Sequence, residues 1–433
     1  MAIATPAAGG DIESIAKSVV ARLVAGDYVA ATAEFDDRMR AALTPEALAR
    51  LWAQVRERAG AFRQIESTRT DPAGVYRIVF VTCAFEKERA GIKIVFDAGD
   101  RVAGLFVAPV DSSRPPAAPW SPPAYADTTR FEERGVTVES GTWKLPGVLA
   151  VPHGGGPFAA AILVHGSGPH DADETVGAVK PFRDLAWGLA SRGVVVLRYT
   201  KRTQLLSQQE TPSIAGLTVQ QETIDDARAA VTLLARTAAV DPQRIWIVGH
   251  SLGGMLAPRI ATQDRRVAGI AILAGNVRPL EDLVVEQIRF LAGRDGRIAS
   301  AESAQIRAAE RSRERVRDPA LADTSIVDLL GAAIPGSYFL DLRGYRPDAT
   351  AAALAIPVLV VQGGRDYQVG RADFERWQRA LAAKRDATCT WLPELNHLFV
   401  AGSGASGPEE YGQPGHVDGR VVDILTGVCA GGR

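Results

Sequence analysis

Three residues in this chain could together carry out nucleophilic acyl transfer. They are Ser251 in Gly249-His250-Ser251-Leu252-Gly253-Gly254, Asp366 in Gln362-Gly363-Gly364-Arg365-Asp366, and His397 in Leu395-Asn396-His397-Leu398-Phe399. A serine hydroxyl is a poor nucleophile at neutral pH, so it needs a positioned base, and the base needs a carboxylate to orient it. Each of the three lies in a segment that follows a predicted strand: Ile245 to Val248, Val358 to Val361, and Thr388 to Leu392. Serine, acid and imidazole therefore stand in the order, and at the strand ends, that a triad on a parallel sheet requires. Taken singly, each has a bland reading as a glycine turn, a turn-forming aspartate or a structural histidine. The weight lies in the three together. His416 is the other histidine after Asp366, but it falls beside a predicted helix, so His397 is taken as the base.

The glycines of G-x-S-x-G also have a chemical reason. The serine sits on a strained turn, and Gly249 and Gly253 must lack side chains where neighbouring backbone comes close. The amide of Leu252, opening the next helix, can donate to a developing oxyanion. A second donor is expected from the loop after the strand ending at Val164, His165-Gly166-Ser167-Gly168-Pro169-His170-Asp171, and the N–H of Ser167 is the candidate.

The elements that must position these residues follow from periodicity. From Phe131 onward, strand and helix patterns alternate: strands at Phe158 to Val164, Val194 to Tyr199, Ile245 to Val248, Gly269 to Leu273, Val358 to Val361 and Thr388 to Leu392, with helices between and a last one near Val417 to Val428. Repeated βα units predict an α/β, doubly wound, mostly parallel sheet. Pro258 should kink the helix after the elbow. Residues of about 277–355 interrupt the alternation with a helical pattern that reads as a cap over the strand ends, and its charge run Arg307 to Arg317 reads as a solvated face.

Ahead of this lies a different pattern. Ile12, Ile15, Val19 and Leu23 recur at helical spacing behind Asp11 as N-cap, and Thr44-Pro45-Glu46 starts a second helix. Val75 to Cys83, Ile92 to Phe96 and Val102 to Val107 then read as strands, the last two joined by a turn at Asp97 to Asp100. The expected organisation is a small α+β domain at 11–110, a proline-rich linker at 111–127, and the α/β domain at 128–433 with the cap inside it.

Composition narrows the function. The 433 residues are 46% hydrophobic and 23% charged with a net charge of -1, which offers no electrostatic footprint for nucleic acid or anionic lipid. No apolar run is long enough to span a bilayer. Cys83, Cys389 and Cys429 are isolated, so neither a disulfide framework nor a metal site is expected. Met1 to Gly10 lacks a basic region and an apolar core and does not read as a signal peptide, which leaves the chain cytoplasmic or secreted after loss of a leader.

The elbow, His165-Gly166-Ser167-Gly168, Arg198-Tyr199-Thr200-Lys201-Arg202, Gly363-Gly364-Arg365-Asp366 and Asn396-His397-Leu398-Phe399 together resemble the α/β-hydrolase superfamily in its dienelactone-hydrolase and acyl-esterase branch. More narrowly, the chain resembles bacterial esterases with an N-terminal domain of the DUF3887 type, similar to the NTF2-like cone. The resemblance implies a serine carboxylesterase acting on small or aryl esters without a cofactor. Dienelactone hydrolases use cysteine where this chain has Ser251, which favours ordinary ester hydrolysis. Arg198 and Tyr199 are expected to contact substrate at the entrance, with structural ion pairing as the other reading. Two alternatives stay open: an acyl-peptidase or thioesterase using the same triad, and a non-catalytic binding protein on a hydrolase scaffold. The N-terminal domain is expected to pack near the cap or to mediate a homodimer.

Overall fold

In the computed structural model, which describes residues 12–73, 76–97, 99–109, 120–209, 213–294, 296–329 and 332–431, the chain divides into two units. The first opens with helices Ile12–Ala25, Tyr28–Ala33, Asp37–Ala42 and Pro45–Ala59. Thr44 caps the last of these by accepting from the amide of Ala47, with Pro45 in the first turn as the sequence predicts. The N-cap assigned to Asp11 and the leader reading of Met1 to Gly10 lie outside the described residues. Four strands follow: β1 (Phe62–Ala73), β2 (Tyr76–Phe85), β3 (Arg89–Phe96) and β4 (Val102–Pro109), in an antiparallel meander in chain order. Ala90, Ile92, Ile94 and Phe96 alternate inward along β3 and meet Val19, Leu23 and Trp52 from the helices. β1 is not anticipated by the sequence reading, because Arg63, Gln64, Glu66, Thr68 and Arg69 make it a largely polar edge strand with little hydrophobic signal.

The second unit takes in the end of the expected linker. Trp120 donates from Nε1 to Asp184 (3.0 Å), stacks edge-on against Trp187 and lies under the Arg183 guanidinium. Ser191 Oγ accepts from the amide of Asp127 (2.8 Å). Residues 120–127 are therefore docked on the helix Pro181–Ala190 instead of forming free linker. The part of the linker at 111–119 lies outside the described residues.

The sheet of this unit has eight strands: β5 (Phe131–Ser140), β6 (Trp143–Pro152), β7 (Phe158–Val164), β8 (Val195–Tyr199), β9 (Val240–His250), β10 (Val267–Leu273) and, after the cap hairpin of β11 (Ile326–Leu329) and β12 (Ala332–Pro335), β13 (Val358–Gly363) and β14 (Ala387–Leu392). Their order is β14-β13-β10-β9-β7-β8-β6-β5. The β5–β6 and β6–β8 pairs are antiparallel and the rest parallel. Helices cover both faces, so a central strand is apolar throughout: Ala160, Ile162 and Val164 of β7 enter one core, Ala161 and Leu163 the other. This is the expected doubly wound α/β sheet.

The helix Leu252–Gln263 holds Pro258 in its interior, the position at which a kink is expected. One local expectation is revised. The cap is not wholly helical. Helices Leu280–Ala292 and Ser300–Arg317 are followed by the β11–β12 hairpin and then by helices Gly336–Leu342 and Pro347–Ala353. Cross-strand pairing and burial of Val327 and Leu329 override the helix preference of the neighbouring alanines. Among the described residues, no helix is long and apolar enough to cross a membrane.

Candidate active site

Ser251 sits between the end of β9 and the helix Leu252–Gln263 with φ 52° and ψ -117°, a region that a side-chain-bearing residue rarely occupies. Its amide donates to the carbonyl of Leu273 (2.8 Å) at the end of β10. The two flanking glycines are required for packing. A Cβ on Gly249 would overlap the carbonyl oxygen of Gly253, and one on Gly253 would overlap that of Val164. A Cβ on Gly166 would come within 3.2 Å of Ser251 Cβ, so the loop after β7 lies directly beside the serine. Ser251 thus stands at the carboxyl end of the interior strand β9, against the backbone of the very loop the sequence singles out.

Asp366 follows β13 and is held by four donors: Gln362 Nε2 (2.9 Å), the amides of Gln368 (2.8 Å) and Val369 (2.9 Å), and His397 Nδ1 (2.7 Å). The aspartate faces Nδ1, so that nitrogen carries the proton and Nε2 is left with its lone pair as the basic atom. His397 is 4% exposed. His416 is elsewhere, with Nδ1 on Asp184 (3.1 Å) beside Trp120.

A second buried pair lies next to the first. Glu174, at 1% exposure and φ 51°, brings Oε2 to 2.9 Å from His250 Nδ1 and accepts the amide of Gly166 on Oε1 (2.7 Å). His250 Nε2 donates to the carbonyl of His397 (3.0 Å). His250 thus lies between a carboxylate and a carbonyl oxygen, surroundings that favour its protonated form. Burial by itself would lower its pKa, but the Glu174 carboxylate offsets this and the value ends above that of an ordinary imidazole. Burial likewise pushes the Glu174 carboxyl up, yet His250 outweighs it and holds the group at about 2. One carboxylate thereby ties together the loop after β7, the elbow and the loop carrying His397. No motif pointed to Glu174; the available signal was only that His250 adjoins the serine.

The expectation that Arg198 and Tyr199 reach substrate is corrected. Arg198 is fully buried, with Nε on Asp173 (2.9 Å) and Nη1 on Glu133 (2.6 Å), and Tyr199 is packed in the core at 2% exposure. A buried guanidinium must be paired, and these carboxylates pair it inside the sheet instead of at an entrance. Ser167, by contrast, lies at the surface of its loop, and its N–H has no acceptor among the described residues. Leu252 opens its helix, where amides lack intrahelical partners.

Residues 161–410 match the model of the alpha/beta hydrolase family, more than half of the chain. The chain belongs to the α/β-hydrolase family. Residues 16–105 of this hydrolase match a second model, described as a protein of unknown function, DUF3887. The hydrolase is 35% identical over 406 residues to esterase EstD of Thermotoga maritima, covering 94% of this chain and 92% of that one. Among solved structures it is similar to Est1E of Butyrivibrio proteoclasticus, with 15% identity, a TM-score of 0.45 and coverage of 68% of this chain and 96% of that one. It is also similar to brefeldin A esterase, with 16% identity, a TM-score of 0.45 and coverage of 73% and 80%.

Proposed function

We propose that the protein hydrolyses small or aryl carboxylic esters through an acyl-enzyme on Ser251. It is a carboxylic ester hydrolase, as its full-length likeness to an esterase supports. In the proposed cycle Ser251 Oγ attacks the ester carbonyl while His397 Nε2 takes its proton. The amides of Ser167 and Leu252 receive the oxyanion, and His397 returns the proton to the departing alcohol. Water, deprotonated by the same nitrogen, then attacks the acyl-enzyme and releases the acid. Asp366 keeps the imidazole in the tautomer this needs. The observation that carries the reading is the 2.7 Å contact from His397 Nδ1 to a carboxylate held by three other donors.

The substrate is a neutral small molecule, and no cofactor enters the cycle. Dimerisation through the outer face of the N-terminal sheet, where Phe106 is exposed, belongs to the same proposal. The test of the mechanism is Ser251→Ala, which should lower kcat by several orders of magnitude and abolish labelling by a serine-directed phosphonate. Turnover undiminished in that variant sinks the acyl-enzyme. A panel of nitrophenyl esters, thioesters and aminoacyl anilides should rank esters first.

A further inference from the structure

Lys201 follows β8 and is 2% exposed, an unusual place for an ammonium group. Its Nζ donates to the carbonyl of Gly166 (2.8 Å) and lies 3.2 Å from Glu222 Oε1. Glu222 is itself buried in the π-helical turn Gln220–Ile224 and accepts from Thr203 Oγ1 (3.0 Å) and from Tyr338 Oη of the cap (2.7 Å). The ammonium is therefore compensated, and what it holds on its other side is a backbone carbonyl.

That carbonyl belongs to the same peptide unit as the N–H of Ser167. In a trans peptide the two groups point in opposite directions. With Gly166 O turned to Lys201, the N–H of Ser167 is turned away from it, and it meets no acceptor among the described residues. The other side of Gly166 is fixed as well, because its own amide donates to Glu174 (2.7 Å). A cationic donor on a carbonyl oxygen draws density through the amide and makes the attached N–H a stronger donor, an effect enlarged where water is excluded.

We propose that Lys201 is a positioning residue for ester hydrolysis, which aims and polarises the Gly166–Ser167 peptide so that its N–H meets the oxyanion formed on attack by Ser251. The proposal rests on the Ser251 mechanism above. It differs from a purely structural role, in which Lys201 serves only to neutralise Glu222. A group acting on the oxyanion acts on the transition state more than on bound ester, so its loss falls on kcat.

The test compares Lys201→Met with the double variant Lys201→Met/Glu222→Gln, which leaves no buried carboxylate unpaired and so keeps a folded protein to measure. On p-nitrophenyl acetate, kcat should fall about 10- to 100-fold in both, with KM changed less than about threefold. Affinity for a trifluoromethyl ketone, bound as a tetrahedral oxyanion adduct, should fall in parallel. A folded double variant with kcat within about twofold of the parent, or with its loss confined to KM, overturns the proposal. Either result leaves the serine mechanism standing, since that mechanism is judged by Ser251→Ala and phosphonate labelling.

Discussion

His397 and His416 both contact a buried aspartate, and the proposed cycle uses only the first. Asp366 receives His397 on a loop whose carbonyl is held by His250, the residue preceding Ser251. Asp184 receives His416 together with the indole of Trp120 and the amide of Val417, a set that fastens chain segments to one another. His397→Ala should therefore reduce kcat by about three to four orders of magnitude. His416→Ala should leave kcat within about twofold and lower only the melting temperature. Steady-state assays of the two purified variants decide the matter, and an inactive, folded His416→Ala would reverse the assignment.

At the scale of elements, the Glu174–His250 pair joins three loops from three strands, and its contribution should depend on pH in a definite way. The His250 pKa is raised on folding, so its share is complete below the ordinary imidazole value of 6.5 and is lost as pH rises through the folded value. The Glu174 pKa is depressed, so its share is complete above the ordinary 4.5 and is lost as pH falls toward about 2. The melting-temperature gap between the parent and Glu174→Gln should be widest between pH 4.5 and 6.5 and narrow on both sides. A gap independent of pH would mean that Glu174 acts through shape alone. The elements themselves were readable where burial leaves a signal: β7, β10, β13 and the second half of β9 are apolar runs, the ends of β9 and β13 pointed to Ser251 and Asp366, and the end of the half-buried β14 pointed to His397. What was not readable depends on pairing across the chain. Glu174 and Lys201 look like ordinary charged loop residues until folding places them against Gly166. Arg198 could have been a surface or a buried cation, and only its partners at Asp173 and Glu133 decide. The β11–β12 hairpin was hidden because its strands are only four residues long and β12, Ala332-Ala333-Ile334-Pro335, carries almost no β signal.

At the scale of the molecule, the docking of Trp120 and Asp127 moves the start of the hydrolase unit upstream of the first sheet strand. A fragment of residues 120–433 should fold and hydrolyse esters, whereas one of residues 131–433, lacking the indole that covers Trp187, should be less stable by about 3–5 kcal/mol. Denaturant titration of the two fragments measures this, and equal midpoints would return residues 120–127 to the linker. The cap raises a separate matter. Val284, Val316, Leu321, Val327, Leu329 and Phe339 form a small core of its own, and it is inserted between β10 and β13, which are neighbours in the sheet. An insertion with its own interior and with both ends rooted on adjacent strands can be lengthened, trimmed or exchanged over generations while the elbow and its histidine stay where they are. Such a lineage can wander through substrate preferences without having to reinvent its chemistry.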